Sequence, residues 1–383
     1  MTTRILEIIP TLDRSGAEKQ LTLLAGGLPR DEFDVHVCAL TRGGPLEADL
    51  RQAGIPVSIV GKPRKIDPRA FLRLRRLIAR LRPELIHTWL FAANAYGRAA
   101  ALTCGVKRLV AGERCVDPWK TWVELSIDRF LARRSLRIVA NSSGVKEFYV
   151  RHGLPAEKFE VIPNGVLAPP PCTSTREELL AELGLPAGAR LVAIIGRLWP
   201  QKRVKDAIWA ADVIKVFRGD VHLLVIGDGP DRDRLLKFRE DVRIADRVHF
   251  LGHRADVFRI LPHLEALWSP SAYEGQSNVI LEAMSVGLPV VATDIPGTRD
   301  LVVHEVTGCL IPTTDRAAAA TTVNRDVAAG LAHHTCRLLD DPELGPRLGQ
   351  AARQRVLVEF SVEKMVARYA DLYRRLLAQP LAA

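Results

Sequence analysis

The sequence lacks long apolar runs, paired cysteines and any stretch that resembles a leader. None of its apolar runs approaches the ~18 residues that a membrane-spanning helix needs, which excludes an integral membrane protein of that kind. Its six cysteines are scattered without a Cys-x-x-Cys pair, which argues against a disulfide framework and against a structural zinc site. The first four residues lead straight into a strand-like run, so we expect no signal peptide and a cytoplasmic protein.

What the chain contains instead is the composition of a folded, water-soluble protein. It has 383 residues, of which 48% are hydrophobic and 26% are charged, proportions that exclude a disordered or collagen-like chain. Because an ordinary domain holds ~100–200 residues, this length predicts two domains. Lysine and arginine (54) exceed aspartate and glutamate (44) by 10. This excess indicates an anionic partner, without saying whether it is a nucleotide, a membrane or a nucleic acid.

Short apolar runs alternate with helical patterns from one end of the chain to the other. The helical spacing predicts helices over 18–28 and 68–81, and a last helix from Ser361 to about Leu377. Such alternation is typical of βαβ units, which form a parallel sheet covered by helices on both faces. The predicted strands are 5–9, 35–40, 57–60, 85–87, 109–111, 138–140, 161–162, 191–195, 221–226, 248–251, 266–268, 290–292 and 309–311.

A proline-rich segment divides this pattern into two halves. Residues 168–171 read Ala-Pro-Pro-Pro, a run that cannot pack as a strand or a helix and is typical of a linker. We therefore predict an α/β protein of two Rossmann-like domains with a cleft between them. The N-terminal domain spans 1–167, the linker 168–188 and the C-terminal domain 189–360, and the last helix falls within 361–383.

Ligands of an open parallel sheet bind outside the carboxyl ends of its strands, so the residues that follow the strands are the candidates for a site. Gly16 follows the first strand and begins a helix, where it forms either a backbone anion site or a structural turn. Arg197 and Lys202 follow a strand of the second half and could neutralise a diphosphate, although two ordinary surface bases are the alternative. Gly227 and Gly229 follow another strand and allow a ligand to approach the backbone closely.

The loop after Gly229 contains an Asp-x-Asp sequence, which in some transferases holds a divalent metal. Its members, Asp231 and Asp233, lie in the predicted first turn of a helix, where acidic side chains complement the helix dipole. We therefore favour helix capping and predict no metal. The single glycine of the first loop does not form the Gly-x-Gly-x-x-Gly pattern of dinucleotide binding, and no cofactor is predicted.

Two glutamates flank the most specific stretch of the sequence. Glu274 follows a strand, and Ser277 or Asn278 can cap the next helix, which leaves backbone N–H groups exposed to an anion. Glu282 lies about one turn further along that helix, so the two carboxylates can contact different parts of one ligand. The loop that follows Glu274 consists of Gly275, Gln276, Ser277 and Asn278.

The Glu-x7-Glu spacing, together with the order of the other motifs, resembles the retaining glycosyltransferases of family 4, which have the GT-B fold. The resemblance covers nearly the whole chain. Each motif alone is weak, but their common order and spacing make the resemblance specific. The motifs are Ser15–Glu18, similar to the family's Gly-Gly-x-Glu loop, Val161–Val166, similar to its interdomain motif, Gly196-Arg197 with Lys202, Gly227–Pro230, and Glu274 with Glu282.

The resemblance implies a role for each residue of the C-terminal half. Arg197 and Lys202 would bind the donor diphosphate and stabilise the leaving group, so Lys202→Ala and Arg197→Ala are expected to abolish turnover. Glu282 would hold the ribose hydroxyls. Glu274 and the backbone of 275–278 would contact the transferred sugar and the β-phosphate, and fixed cations and helix N–H groups would serve in place of a metal.

The resemblance makes the N-terminal half the acceptor domain. Gly16 would close over the donor, and the last helix would cross back onto this domain. Many family members carry a histidine at a strand end here, whereas this chain has Glu113 and Arg114 in the corresponding stretch. Either residue could face the cleft or be a solvated loop charge. His87 follows another strand and is predicted to be structural.

Two groups of arginines offer a second kind of partner. One group lies on a single face of helix 68–81, and the other follows two tryptophans. An ordinary amphipathic helix is the first interpretation, and an anionic membrane surface, which would suit a lipid-linked acceptor, is the second. Nucleic acid is not expected, because no interleaved aromatic residues or known module accompany the bases. The residues are Arg69, Arg73, Arg76 and Arg80, and Arg129, Arg133, Arg134 and Arg137 after Trp119 and Trp122.

The sequence therefore predicts a metal-independent, retaining glycosyltransferase. It would move a sugar from a nucleotide-diphosphate sugar, with UDP favoured by family frequency alone, to a glycan or lipid-linked acceptor. Polysaccharide or glycolipid biosynthesis at the inner face of a membrane would be its setting. Two alternatives stay open: a nucleotide-sugar epimerase on the same scaffold, because a fold does not decide a function, and a non-catalytic protein of the membrane surface.

Overall fold

The computed structural model of the chain describes residues 2–313 and 322–380. Two compact units account for the chain: Met1–Gly165 together with Phe360–Ala383, and Val166–Glu359. They are called the N-terminal unit and the C-terminal unit below. Within the described ranges, no helix combines the length and the apolar character that crossing a membrane requires.

The N-terminal unit contains one parallel sheet of seven strands. The strands are β1 (Thr3–Ile9), β2 (Phe33–Ala39), β3 (Val57–Ile59), β4 (Leu85–Trp89), β5 (Leu109–Glu113), β6 (Arg137–Ala140) and β7 (Phe159–Val161). They are arranged in the order β3-β2-β1-β4-β5-β6-β7. The helices between them are α1 (Gly16–Gly27), α2 (Leu46–Gln52), α3 (Pro68–Leu81), α4 (Leu90–Thr103), α5 (Trp122–Arg134) and α6 (Ser143–Arg151).

The C-terminal unit repeats the design with six parallel strands. The strands are β8 (Arg190–Ile195), β9 (Val221–Ile226), β10 (Val248–Gly252), β11 (Ala266–Ser269), β12 (Val290–Thr293) and β13 (Cys309–Ile311). Their order is β10-β9-β8-β11-β12-β13. The helices are α7 (Arg176–Leu183), α8 (Val204–Lys215), α9 (Arg232–Asp241), α10 (Val257–Ile260), α11 (Asn278–Ser285), α12 (Pro296–Arg299), α13 (Arg325–Asp340) and α14 (Leu344–Glu359).

The strands are mostly apolar because helices cover both faces of each sheet. In β1, Ile5 and Ile9 pack into a core that includes residues of α1, whereas Leu6 and Ile8 pack into a second core with α3 and α4. The predicted α/β fold is therefore confirmed. The helix predicted over 68–81 has those bounds in the structure, since Asp67 caps it by accepting a hydrogen bond from the Ala70 N–H at 3.0 Å.

The last helix, α15 (Val362–Ala378), belongs to the N-terminal unit, as predicted. Its tyrosines Tyr369 and Tyr373 are completely buried. The Tyr373 hydroxyl donates a 2.7 Å hydrogen bond to Glu7 on β1, and the Trp89 indole N–H donates a 2.6 Å bond to the other oxygen of that carboxylate. These buried bonds join α15 to the middle of the sheet. Residues 381–383 of the predicted segment lie outside the described residues.

The linker predicted over 168–188 differs from the structure in its second half. Helix α7 occupies 176–183, and Leu179 and Leu180 on it are buried. Thr175 and Glu178 form a capping box at its start, in which each side chain binds the backbone N–H of the other residue. The prediction of a linker is wrong there because apolar residues on a capped helix can pack, whereas the prolines before them cannot.

Candidate active site

Two loops of the C-terminal unit begin at the point where the strand order reverses. β8 and β11 are neighbours in the sheet, but the chain continues from β8 to β9 on one side and from β11 to β12 on the other. The loop after β8 carries Arg197 and Lys202, and the loop after β11 carries Glu274. Because ligands of open parallel sheets bind at such a switch point, the sequence prediction and the topology indicate the same location.

The loops after β8 and β9 touch through their glycines. Gly196 and Gly227 have φ angles of 146° and 132°, in a region that side chains rarely adopt. A Cβ at Gly227 would overlap the carbonyl oxygen of Gly196, and a Cβ at Gly229 would lie 2.5 Å from the carbonyl oxygen of Leu198. The two predicted glycines therefore allow backbone to approach backbone, and this contact fixes the loop that carries Arg197.

Lys202 and Glu274 form the central contact of the candidate site. The Lys202 Nζ lies 2.5 Å from Glu274 Oε1, and the Ser271 hydroxyl donates a 2.7 Å hydrogen bond to the same oxygen. The lysine side chain is 21% exposed and the glutamate side chain 11%. The structure thus brings together two residues that are 72 positions apart in the chain, and it leaves both within reach of solvent.

Two hydrogen bonds join the loop after β8 to the loop after β11. The Ala272 N–H donates to the Gln201 carbonyl oxygen at 2.9 Å, and the Gln201 side-chain amide donates to the Tyr273 carbonyl oxygen at 2.6 Å. Lys202 and Ser277 also line one small cavity beside Ser271. Lys202 and the N-cap residue of α11 therefore border the same small cavity.

Helix α11 begins in the predicted loop. Ser277 is its N-cap residue, with an extended backbone and no hydrogen bond from its side chain to the helix. Gly275, Gln276 and Ser277 are buried, and Glu282 is half-buried within the helix. The first N–H groups of a helix carry a partial positive charge that favours an anion, so α11 supplies a second positive feature beside Lys202.

The sequence analysis missed two residues that shape this loop. One is Ser271, which binds Glu274, and the other is Gly297 in α12, where a Cβ would overlap the carbonyl oxygen of Gly275. Both follow strands of the same sheet, Ser271 after β11 and Gly297 after β12. Inspection of the residues after each strand identified Lys202 and Glu274. The same inspection of the segment after β12 would have indicated Gly297.

Arg197 and Arg203 are basic neighbours of Lys202 with different surroundings. Arg197 is exposed, and its guanidinium lies over the Trp199 ring, 4.8 Å from the centroid. Arg203 is buried and its Nε lies 2.6 Å from Asp206 Oδ2, while the other oxygen of Asp206 accepts a hydrogen bond from the Asn324 N–H. Arg197 is accessible to a ligand, whereas Arg203 is committed to the fold.

The Asp-x-Asp sequence lies at the start of α9, as predicted. Asp231 is the N-cap residue and Asp233 is in the first turn. Within the described ranges, the one group of three side chains that meets metal-ligand spacing is Glu305, Cys309 and His334. It does not include either aspartate, and both oxygens of Glu305 already accept hydrogen bonds from Arg337, at 2.7 and 3.0 Å.

The N-terminal unit contains Gly16 at the first position of α1. The loop before it is fastened to the buried carboxylate of Glu18, which accepts hydrogen bonds from the hydroxyls of Ser15 and Thr11, the latter at 3.1 Å. The motif Ser15–Glu18 therefore closes a loop onto its own helix. The contact of Gly16 with a donor stays a prediction.

Glu113 and Arg114 are both buried, so the interpretation of solvated loop charges is wrong. Glu113 accepts a 2.9 Å hydrogen bond from the Asn94 amide and lies 3.7 Å from Lys120 Nζ. Burial raises the pKa of Glu113 to about 7, although Lys120 opposes the shift. Arg114 donates hydrogen bonds to Asn164 and to the Tyr369 hydroxyl, the latter at 3.0 Å.

Arg114 and His87 tie the sheet of the N-terminal unit to α15. The Arg114 guanidinium lies over the Trp89 ring, 4.8 Å from its centroid. His87 is completely buried inside β4 rather than after a strand, and its Nδ1 lies 2.7 Å from the Tyr373 hydroxyl and 3.2 Å from Glu7. The predicted structural role of His87 agrees with these contacts, and Arg114 has a structural role as well.

Two family models match the chain, one in each half. Residues 14–167 match the model described as Glycosyltransferase Family 4, and residues 189–329 match the model described as Glycosyl transferases group 1. The first range includes Gly16. The second includes every other residue predicted for the site.

Curated relatives resemble the chain over most of their length. The UDP-Gal:alpha-D-GlcNAc-diphosphoundecaprenol alpha-1,3-galactosyltransferase of Escherichia coli is 26% identical over 371 residues, 90% of each chain. The lipopolysaccharide core biosynthesis glycosyltransferase LpsD of Rhizobium meliloti is 26% identical over 366 residues, 94% of this chain and 95% of the relative. Among solved structures, Anabaena HepE in complex with UDP and glucose has a TM-score of 0.84 at 22% identity, covering 97% of this chain and 100% of that chain. This last likeness shows a shared fold.

Proposed function

Because this chain belongs to the group 1 glycosyltransferases and has their GT-B fold, we propose that it transfers a hexosyl group from a UDP-sugar to a glycan or lipid-linked acceptor. The transfer retains the anomeric configuration and needs no metal ion. A glycosyltransferase of glycolipid or polysaccharide biosynthesis is supported by the E. coli and R. meliloti relatives, whose names describe such acceptors. The choice of UDP is supported by the name of the E. coli relative and by the UDP bound to HepE.

The observation that carries the proposal is the Lys202–Glu274 pair beside the start of α11. A diphosphate at this switch point would accept hydrogen bonds from the ammonium group and from the first N–H groups of the helix. Glu274, released from Lys202, would then accept a hydrogen bond from a hydroxyl of the transferred sugar.

The proposed reaction breaks the bond between the anomeric carbon and the diphosphate oxygen. The electron pair goes to the leaving oxygen, the acceptor oxygen forms the new bond to the anomeric carbon, and the acceptor's proton passes to the departing diphosphate. Negative charge therefore grows on the diphosphate, where Lys202 and Arg197 would neutralise it. Glu282 would hold the ribose hydroxyls, and the close backbone of Gly227, Gly229 and 275–278 would let the donor lie against main-chain N–H groups.

The proposal is tested first by ligand-induced stabilisation. We expect UDP-sugars to raise the melting temperature more than GDP- or ADP-sugars, because a ligand stabilises the folded state that binds it. Lys202→Ala should lose this shift, and Lys215→Ala should keep it, since Lys215 is a surface lysine on α8 that pairs with Asp246. Equal shifts with all three nucleotides would contradict the choice of UDP.

Product analysis tests the reaction itself. With an acceptor present, NMR of the product should show the anomeric configuration of the donor, and excess chelator should leave the rate unchanged. An inverted product would overturn retention, and loss of activity with chelator would overturn metal independence. Without acceptor, conversion of the nucleotide sugar into its epimer would favour the epimerase.

A further inference from the structure

Three neighbouring helices of the N-terminal unit enclose an open apolar groove. Its volume is about 540 Å³. Ala95 and Ala99 on α4 contribute small side chains among the larger ones of the lining. Those larger side chains are Phe71 on α3, Tyr96 on α4, and Trp122, Val123, Ile127 and Phe130 on α5.

Most large apolar side chains of α5 face solvent, whereas Leu131 and Ala132 are buried. Trp122 is 76% exposed, Phe130 54% and Val123 45%. The opposite face of this helix is buried through charged residues, because Asp128 lies 2.9 Å from Lys120 Nζ and 3.2 Å from Arg98. A helix with its carboxylates inside and its aromatic rings outside is inverted relative to an ordinary surface helix. Exposed apolar patches of this kind mark interaction surfaces.

The charged groups around the groove have one sign. On α3, α4 and α5, the carboxylates are Glu124 and Asp128, and both are buried. The exposed charged side chains of these helices are all arginines. They are Arg69, Arg73, Arg75, Arg76 and Arg80 on α3, and Arg133 and Arg134 on α5. The three helices therefore combine an exposed apolar groove with exposed charges that are all positive.

Side-chain contacts hold the face together. Lys65, just before α3, lies 3.0 Å from Glu124 on α5. Phe71 and Tyr96 meet edge to face with their centroids 6.4 Å apart. The Arg134 guanidinium lies over the Phe130 ring at 3.7 Å, so a cation accompanies the exposed aromatic side chain. These contacts within the fold thus hold the groove in shape.

From this arrangement we propose that the groove face, defined as α5 with the adjoining sides of α3 and α4, binds the surface of an anionic lipid bilayer. Trp122, Val123, Ile127 and Phe130 enter the region between headgroups and acyl chains, where tryptophan is favoured. The arginines of α3 and α5 contact lipid phosphates. Charge complementarity selects this occupant, because the groove face carries no exposed acid that a basic partner could bind.

The inference rests on the proposed function and deepens it, since a transferase docked in this way meets a lipid-linked acceptor at the membrane. It also sharpens the expectation from the sequence, which offered the arginines of helix 68–81 and a second group over 129–137. In the structure the apolar part of the surface comes from α5, and α3 supplies charge beside it.

Vesicle sedimentation at low salt tests the proposal, with phosphatidylcholine vesicles and with vesicles that also contain phosphatidylglycerol. We expect binding to the anionic vesicles only. Two variants separate the two parts of the groove face. Trp122→Ser with Phe130→Ser removes exposed rings, and Arg69→Gln, Arg75→Gln, Arg76→Gln and Arg80→Gln removes charge. Each should lower binding by on the order of tenfold to 100-fold. Arg73 is left in place because it donates hydrogen bonds to the carbonyl oxygens of Val60 and Gly61.

Matched controls replace the same kinds of side chain outside the groove face. Val216→Ser with Phe217→Ser removes two apolar side chains that are 78% and 77% exposed after α8. Replacing Arg234, Arg325, Arg353 and Arg368 by glutamine removes four exposed arginines. Both controls should bind anionic vesicles as the original protein does. Trp122→Phe should bind as well, but show weaker quenching of tryptophan fluorescence by brominated lipids, because Trp119, which is 57% exposed, remains nearby.

Three results would overturn the proposal: no binding of the original protein to anionic vesicles, unchanged binding of the Trp122/Phe130 variant, or quenching in Trp122→Phe that is as strong as in the original protein. A concentration-dependent dimer that this double variant abolishes would assign the groove face to a second copy instead. Stabilisation by UDP-sugars provides a separate readout, because the groove variants should keep it. Loss of vesicle binding with intact stabilisation therefore concerns the groove face, and loss of stabilisation in the original protein concerns the proposed function.

Discussion

In the C-terminal unit, the side chains of Lys202 and Glu274 are 21% and 11% exposed, whereas in the N-terminal unit those of Lys120 and Glu113 are 0% and 2% exposed. Glu274 and Glu113 both occur at a strand end, and each has a lysine as a neighbour. The first pair meets at the switch point of its sheet beside the start of a helix. The second pair is enclosed by other side chains.

The difference in enclosure decides what each pair can do. Lys120 has Asp128 at 2.9 Å, Asp117 at 3.3 Å and the Tyr149 hydroxyl at 2.7 Å, so its charge is satisfied within the fold. Breaking such a set leaves a buried charge uncompensated, which is expensive. Lys202 has one carboxylate partner and access to solvent, so an incoming anion can replace that partner at small cost.

The largest effect is expected from Gly227→Ala, which removes the backbone contact that shapes the C-terminal site. The added Cβ would overlap the Gly196 carbonyl oxygen at a residue with φ of 132°. We expect a loss of about 4 kcal/mol or more in the free energy of unfolding, measured by denaturant titration. Gly188→Ala is the control, because nothing lies within 4 Å of its Cβ position, and it should change stability by less than about 0.5 kcal/mol.

The buried cluster of Lys120, Glu113 and Asp128 in the N-terminal unit should affect the free energy of unfolding rather than the affinity for a ligand. Lys120→Ala removes the cation beside Glu113 and leaves Asp128 with Arg98 alone, and we expect a loss of about 3–5 kcal/mol in the free energy of unfolding. Lys215→Ala breaks an exposed pair with Asp246 and should cost less than about 1 kcal/mol. If the two substitutions cost the same, the contrast between enclosed and exposed pairs would be wrong.

Lys202→Ala should have the opposite profile. The turnover number should fall by on the order of 10²–10³ because growing charge on the diphosphate loses a fixed cation, while the free energy of unfolding changes by less than about 1 kcal/mol. Arg197→Ala should behave in the same way, since its side chain is exposed. Arg203→Ala is the comparison, because this buried partner of Asp206 should lose stability instead. Near-normal turnover in Lys202→Ala would remove Lys202 from the site.

Much of the fold could be predicted because each parallel strand is an apolar run with a helix after it. The helical spacing predicted α3, and the structure shows why it begins there: Asp67 is the N-cap residue and Pro68 the first residue of the helix. The capping box of α7 was equally visible as Thr-x-x-Glu at Thr175 and Glu178. It was overlooked because the prolines before it dominated the interpretation of the segment.

Site residues could be predicted where polar side chains directly follow a strand. They could not be predicted where the role of a charged side chain depends on its burial by residues far away in the sequence. Lys202 and Glu274 were found by position alone. The sequence could not show that Arg114 meets Tyr369, which is 255 residues away, or that Asn94 and Lys120 surround Glu113. Charged residues after strands look alike in a sequence, and only the packing of other elements separates a ligand-binding charge from a structural one.

The smallest expected effect is a dependence of stability on pH that originates in the enclosed cluster. Burial raises the pKa of Glu113 from its ordinary value of 4.5 to about 7 in the folded protein. Between these two values the folded state binds more protons at this site than the unfolded state, so the contribution of Glu113 to stability falls as the pH rises from about 4.5 to about 7. Glu113→Gln should flatten this part of the profile, by about 1–3 kcal/mol across the window.

Denaturant titrations at several pH values measure the slope, and Glu147→Gln, an exposed residue that pairs with Arg151, should leave it unchanged. An identical slope in Glu113→Gln would mean that the cluster keeps Glu113 ionised throughout, and the enclosed pair would then be held by Lys120 more tightly than burial opposes it.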